Sequence, residues 1–176
     1  ERNPSCNYIG VDIKGARLWK GAKYAEEHEL TNVAFIRTRI EFIESLFAQG
    51  EVSEIWITFA DPQIGREKKR LTAPLFMSRY RNFLKPGGIV HLKTDSRYLH
   101  EYSLAMAQQN DLKILAAGTD IYGEDRERLY SSDLFSVSGR DAVDALFQVQ
   151  TFYESQYLAQ GFPITYLAFL ADHKGD

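Results

Sequence analysis

The chain has 176 residues, enough for one core that buries roughly 70% of the surface its unfolded form exposes. With 44% hydrophobic and 26% charged residues the composition is that of an ordinary globular domain, no apolar run nears the ~20 residues of a membrane helix, and the net charge of −3 argues against a nucleic-acid partner except where basic residues cluster. No basic segment followed by an apolar stretch opens the sequence, so no secretory signal is expected, and the single cysteine, Cys6, excludes an internal disulfide and fits a cytoplasmic setting.

In chain order, Tyr8–Asp12 (YIGVD) reads as a strand ending in an acid, and Ala16–His28 as a helix. Val33–Arg37 is a second strand and Ile40–Phe47 a short helix. Glu54–Phe59 (EIWITF) is a third strand, followed by a polar loop through Arg70. Ala73–Leu84 reads as a helix, Lys85–Gly88 (KPGG) as a turn, Ile89–Thr94 as a strand and Ser96–Gln109 as a helix. Leu112–Ala116 is a further strand, Thr119–Arg140 has no clear period, Asp141–Ala159 reads as one helix and Ile164–Leu170 as a last strand. Strands alternating with helices, and apolar on both faces, predict an α/β domain over 1–176: a mostly parallel sheet, helices on both faces and an antiparallel edge formed by the last two strands. Such a sheet ordinarily opens with a strand and a Gly-rich turn. Here Glu1–Asn7 (ERNPSCN) leads straight into a strand that reads as the second, so the first strand and its loop are expected to be missing from this sequence.

Ligands of parallel sheets sit beyond the carboxyl ends of the strands, which singles out Asp12, Asp61 and Asp95. Asp12 is equally readable as a helix cap, Asp61-Pro62 alone as a turn, and Asp95 as the cap of the Ser96 helix. Arg66–Arg70 (REKKR) holds four cations in five residues directly after Asp61. That is either a phosphate-contacting rim or a solvated charge run. Lys14, Arg17, Lys20 and Lys23 recur at spacing three on the first helix and carry the same two readings. Thr151 and Glu154 share a helix face. The four histidines, Cys6 and the acids show no metal-ligand spacing, so no metal is expected.

The succession YIGVDIKGAR, NVAFIRTRIEFI, WITFADPQ, KKRLTAPLFMSRYRNFLKPGG, HLKTD and QTFYESQYLAQGFPITYLAFL resembles the bacterial tRNA (guanine-N7-)-methyltransferases over nearly the whole chain. The FADP loop with its KKRLT continuation and the late TxYE element are its most specific parts. The resemblance implies a class I methyltransferase fold of Rossmann-like type, S-adenosyl-L-methionine as cofactor, and methylation of guanine N7 in the variable loop of tRNA by a monomer or homodimer. It implies that Asp12 holds the cofactor ribose and that Asp61 is the catalytic acid, holding the guanine beside the methyl donor and touching both. Where the family often has an acid near the adenine, this chain has Arg39, so the backbone of Arg39 and Ile40 takes that place. The same resemblance implies substrate contacts at Asp95, Thr151, Tyr153 and Glu154, and RNA contacts at Arg66, Lys68, Lys69 and Arg70. A class I methyltransferase of small molecules and a non-catalytic RNA-binding subunit are the rival readings.

Overall fold

The computed structural model describes residues 4–173. Contacts group the chain into two compact units, Glu1–Ala48 and Gln49–Asp176, and each is described by itself.

The first unit is a strand, a helix and a strand: β1 (Tyr8–Asp12), α1 (Gly15–Glu27) and β2 (Val33–Arg37), followed by a 3₁₀ turn over Ile40–Leu46. The two strands pair in parallel, with Gly10 opposite Phe35 and Asp12 opposite Arg37. The helix can lie against this pair because two glycines admit the Phe35 ring. A Cβ on Gly10 or Gly21 would stand 2.8 or 2.6 Å from ring carbons, closer than packed atoms tolerate. Of the segment Glu1–Asn7 that leads into β1, Glu1–Asn3 lie outside the described residues. Its far end is tied down by Asn32, whose Nδ2 donates to the Cys6 carbonyl at 2.7 Å.

The second unit runs β3 (Val52–Thr58), α2 (Pro74–Arg81), β4 (Leu84–Thr94), α3 (Arg97–Gln109), β5 (Leu112–Gly118), α4 (Arg126–Leu129), α5 (Asp133–Gln148), α6 (Phe152–Ala159) and β6 (Thr165–His173). The sheet order is β3-β4-β6-β5. The first pair is parallel, and β6 enters antiparallel to both β4 and β5, which is the antiparallel edge expected of the last two strands. Tyr166 and Ala168 of β6 join one core cluster with Leu134, Val143 and Leu146 of α5. Leu167 and Phe169, fully buried between them, point the other way by the two-residue period of a strand. Contacts from α2 and α3 also reach β6, so helices cover the sheet on both sides.

Three elements depart from the sequence reading. The KPGG segment, read as a turn between a helix and a strand, instead lies inside β4 as a bulge. Val52 pairs with Leu84 and Glu54 with Ile89, so β4 carries three extra residues there, with Gly87 at φ 73°. The single helix expected over Asp141–Ala159 is two, α5 and α6, separated by an extended Val149 (φ −103°, ψ 101°) and restarted by a cap at Thr151. The aperiodic stretch Thr119–Arg140 is packed, with Ile121, Leu129 and Leu134 almost wholly buried. Its periodicity is broken because α4 is one turn long and α5 is kinked at Gly139 (φ 78°), so no single helical phase runs through it. No helix among the described residues is long and apolar enough to cross a membrane.

Candidate functional site

The register Thr58 opposite Lys93 places the segments after β3 and β4 beyond the same end of the sheet, and these segments carry Asp61 and Asp95. The Asp61 loop is tied to the sheet at its start and folded by a bond of its own. Phe59 N–H donates to the Lys93 carbonyl at 2.9 Å. Asp61 Oδ1 accepts from Gln63 N–H at 2.9 Å, and Pro62 between them restricts Asp61 to extended backbone. Phe59 and Gln63, neither a glycine, stand at φ 49° and 48°, a conformation that costs about 1–3 kcal/mol each. The turn reading and the functional reading of Asp61 are therefore compatible, since one carboxylate oxygen builds the turn while the side chain stays exposed. Asp95 is half-buried, but it does not cap α3. Ser96 does, its Oγ accepting from Leu99 N–H at 3.2 Å, while Thr94 Oγ1 accepts from Ser96 N–H.

The basic segment divides. Arg66, Lys68 and Lys69 are exposed around a 3₁₀ turn over Glu67–Lys69. Arg70 is only 4% exposed. Its Nε donates to the Pro62 carbonyl at 3.2 Å and its Nη2 to the Tyr98 hydroxyl at 2.5 Å. The guanidinium lies 4.9 Å from the Tyr98 ring centre and 4.2 Å from that of Tyr102. The RNA contact implied for Arg70 is thus not available to its side chain, which turns inward because two aromatic faces and a carbonyl replace its water.

The late element is also partly internal. Thr151 Oγ1 accepts from Glu154 N–H at 3.1 Å and Glu154 Oε2 accepts from Thr151 N–H at 3.2 Å, a reciprocal capping box that starts α6. Glu154 is fully buried, and its Oε1 meets Lys93 Nζ at 2.5 Å and accepts from the Tyr122 hydroxyl at 2.7 Å. Lys93 Nζ donates further to the Leu146 and Val149 carbonyls at 2.5 and 3.4 Å. Burial draws the Lys93 ammonium below the usual lysine range, against the pull of Glu154. Glu154 therefore joins β4, α5 and α6 from inside, and the substrate contact implied for it would require breaking that pair. Thr151 is half-buried, and Tyr153 beside it is exposed. The sequence reading missed Lys93 and Tyr122 as members of this cluster. The signal for Lys93 was present: a lysine in a strand buried on both faces (IVHLKT) demands a counter-charge.

In the first unit, Asp12 stands at the carboxyl end of the parallel pair β1–β2, where Arg39 and Ile40 also follow β2. Asp12 does not cap α1, whose N-cap is Lys14. Its Oδ1 accepts from Lys14 N–H at 2.9 Å and its Oδ2 faces Arg17 Nη1 at 3.5 Å, with the side chain still 26% exposed. A fixed, partly accessible carboxylate at a strand end fits the hydroxyls of a nucleoside ribose, and the extended Arg39 beside it (φ −79°, ψ 138°) offers backbone groups. Arg17 is thereby drawn to Asp12, and Lys23 pairs with Glu27 at 3.6 Å, so the helix cations are not a uniform free stripe. Among the described residues, no group of three or more His, Cys, Asp or Glu is placed to hold a metal.

A family model described as a putative methyltransferase matches residues 1–132. The chain is 53% identical over 170 residues to a tRNA (guanine-N(7)-)-methyltransferase of Christiangramia forsetii, an alignment covering 96% of this chain and 69% of that protein. It is 46% identical to the protein of the same name from Bacteroides thetaiotaomicron, over 98% of this chain and 62% of the relative. It thus spans about two thirds of these relatives' lengths. Among solved structures, an S-adenosylmethionine-dependent methyltransferase from Aquifex aeolicus superposes with a TM-score of 0.55 at 9% identity, over 94% of this chain and 69% of that one. A geranyl diphosphate methyltransferase in complex with S-adenosylmethionine gives 0.54 at 15% identity, over 95% and 69%. At these identities the structures speak to the fold.

Proposed function

The chain belongs to the tRNA (guanine-N7-)-methyltransferase family, and from that premise we propose that it methylates guanine N7 in the variable loop of tRNA, with Asp61 as the catalytic residue. The observation that carries the reading is the Asp61 loop: an exposed carboxylate, held rigidly at a strand end and followed at once by outward cations. S-adenosylmethionine supplies an electrophilic methyl group when bound. Guanine N7 already has a free lone pair, so no residue has to remove a proton before the N–C bond forms. The work left to the protein is alignment of the base and stabilisation of the positive charge that the purine acquires. A carboxylate at Asp61 serves both ends. It accepts from guanine N1–H and the exocyclic amine, groups that adenine cannot offer in that pattern, and it opposes the developing charge. Asp95, beyond the same sheet end, is the second pocket acid, and Thr151 and Tyr153 line the substrate side. Asp12 would hold the cofactor ribose, with backbone groups of Arg39 and Ile40 at the adenine. Arg66, Lys68 and Lys69 would contact phosphates, which fixes register without reading sequence. A tRNA substrate is in keeping with the cytoplasmic setting that this reading includes.

The test is transfer of labelled methyl from S-adenosylmethionine by the full-length protein, with unmodified tRNA or without RNA. RNA-dependent transfer, reduced at least about 100-fold in Asp61→Ala, is expected. Label passing to a small molecule with no RNA present would overturn the assignment.

A further inference from the structure

Arg70 belongs to a run that reads as phosphate-contacting, yet it is the one member of Arg66–Arg70 whose side chain is buried. Its hydrogen bonds go to two places. Nε holds the carbonyl of Pro62, the residue directly after Asp61, and Nη2 holds the hydroxyl of Tyr98 on the first turn of α3. The ring of Tyr102, one helical turn further on, lies 4.2 Å beneath the guanidinium. The Arg70 backbone is fixed as well, its N–H donating to the Glu67 carbonyl at 3.0 Å and its carbonyl accepting from Ala73 N–H at 2.9 Å.

The loop that these bonds restrain is under conformational strain. Asp61 sits between Phe59 and Gln63, both left-handed without being glycine. One side of the loop is tied to β4 through Phe59 N–H and the Lys93 carbonyl. The other side has Asp61's own Oδ1 bond to Gln63 N–H, which restrains the loop only against itself. The Arg70–Pro62 bond attaches that second side to another element, α3.

We propose that Arg70 is a positioning residue for Asp61: a planar fork that clamps the Pro62 carbonyl to α3 and thereby sets the direction of the catalytic carboxylate, while the exposed cations before it hold RNA. The proposal rests on Asp61 having the role given above. A lysine could not replace this arginine, because one ammonium cannot present two donors fixed in one plane while its charge rests against two aromatic rings.

The experiment compares Arg70→Lys, Arg70→Ala and Tyr98→Phe with a Lys68→Ala/Lys69→Ala double variant, all in the full-length protein. It reads methyl-transfer kinetics on tRNA, tRNA affinity against salt, and amide hydrogen exchange over residues 59–66. Arg70→Lys is expected to lower kcat about 10- to 100-fold while leaving KM within about threefold and the salt slope unchanged, with faster exchange in 59–66 and none in α3. Tyr98→Phe, which removes one of the two partners, is expected to lower kcat by less. The double lysine variant is expected to raise KM and lower the salt slope by about two. A salt slope that falls by about one in Arg70→Ala, with kcat and exchange unchanged, would make Arg70 a phosphate contact and overturn the proposal. Arg70→Ala guards against a special effect of the new ammonium. The exchange readout does not depend on the substrate. If the parent protein fails to methylate tRNA, the function assigned above fails, whereas unchanged protection of 59–66 in both Arg70 variants sinks the clamp.

Discussion

Asp61 uses one carboxylate oxygen to shape its own turn and remains exposed, so charge and hydrogen bonding at that position can be separated. Asp61→Asn keeps an oxygen able to accept from Gln63 N–H but removes the charge. If opposing the purine's positive charge is the larger contribution, kcat falls about 100- to 1,000-fold while tRNA affinity changes by no more than a few-fold, which single-turnover kinetics and a binding titration would separate. A comparable loss of affinity with little loss of rate would assign Asp61 to binding alone. The residue scale is also where the sequence was least able to sort equivalents. Lys68, Lys69 and Arg70 are adjacent cations in one run, and only the fold turns Arg70 inward between Tyr98 and Tyr102, which lie about thirty residues away. Glu154 similarly reads as a surface acid of a helix face, and it is the partner of a lysine from a different strand that buries it. The turn at Asp61 was legible, because Asp-Pro after a strand is a local turn pattern, whereas the role proposed for Asp61 came only from the family resemblance.

The elements around the site are joined by polar groups that their apolar neighbours cannot substitute. Lys93→Met leaves the Glu154 carboxylate buried without a counter-charge, a change that typically costs about 3–5 kcal/mol; Lys93→Met/Glu154→Gln, which removes the stranded charge but keeps the capping-box oxygen, is expected to recover more than half of it in urea unfolding. Equal stability of the single and double variants would show that the pair is not what joins β4 to α6. A second buried cluster governs acid stability. His91 of β4 stacks on Trp56 of β3 at 3.9 Å, its Nδ1 meets the Tyr166 hydroxyl at 2.7 Å and its Nε2 faces Glu54 at 3.4 Å. Burial holds the imidazole below its ordinary titration range despite Glu54. The unfolded chain, with His91 titrating near about 6.5, then binds more protons than the folded one as pH falls below that value. The contribution of a neutral His91 is complete above about pH 6.5 and is lost as pH falls toward the lowered value. Unfolding free energy should therefore fall as pH drops below about 6.5, with a shallower slope in His91→Gln. Equal slopes would contradict a neutral, buried His91. Most strands and helices were legible from periodicity. The α5–α6 break was not, because a single β-branched residue such as Val149 is too weak a signal to end a helix and the restart at Thr151 depends on a reciprocal bond with the Glu154 carboxylate.

At the scale of the whole molecule, the α/β class and the antiparallel edge follow from the order of apolar segments, whereas the arrangement of β6 between β4 and β5 does not, since nothing local in the strand says which neighbours it takes. The net charge of −3 would have argued against a nucleic-acid partner had it been weighed alone. Its weight is small because phosphate contact depends on where cations cluster, and here Arg66, Lys68 and Lys69 cluster directly after the candidate catalytic acid. The proposed function stands or falls on which atom is methylated, and hydrolysis of the labelled tRNA to nucleosides identifies the methylated nucleoside. Essentially all label from the full-length protein is expected to elute as 7-methylguanosine. Label in any other nucleoside, with none in 7-methylguanosine, would contradict the proposed function.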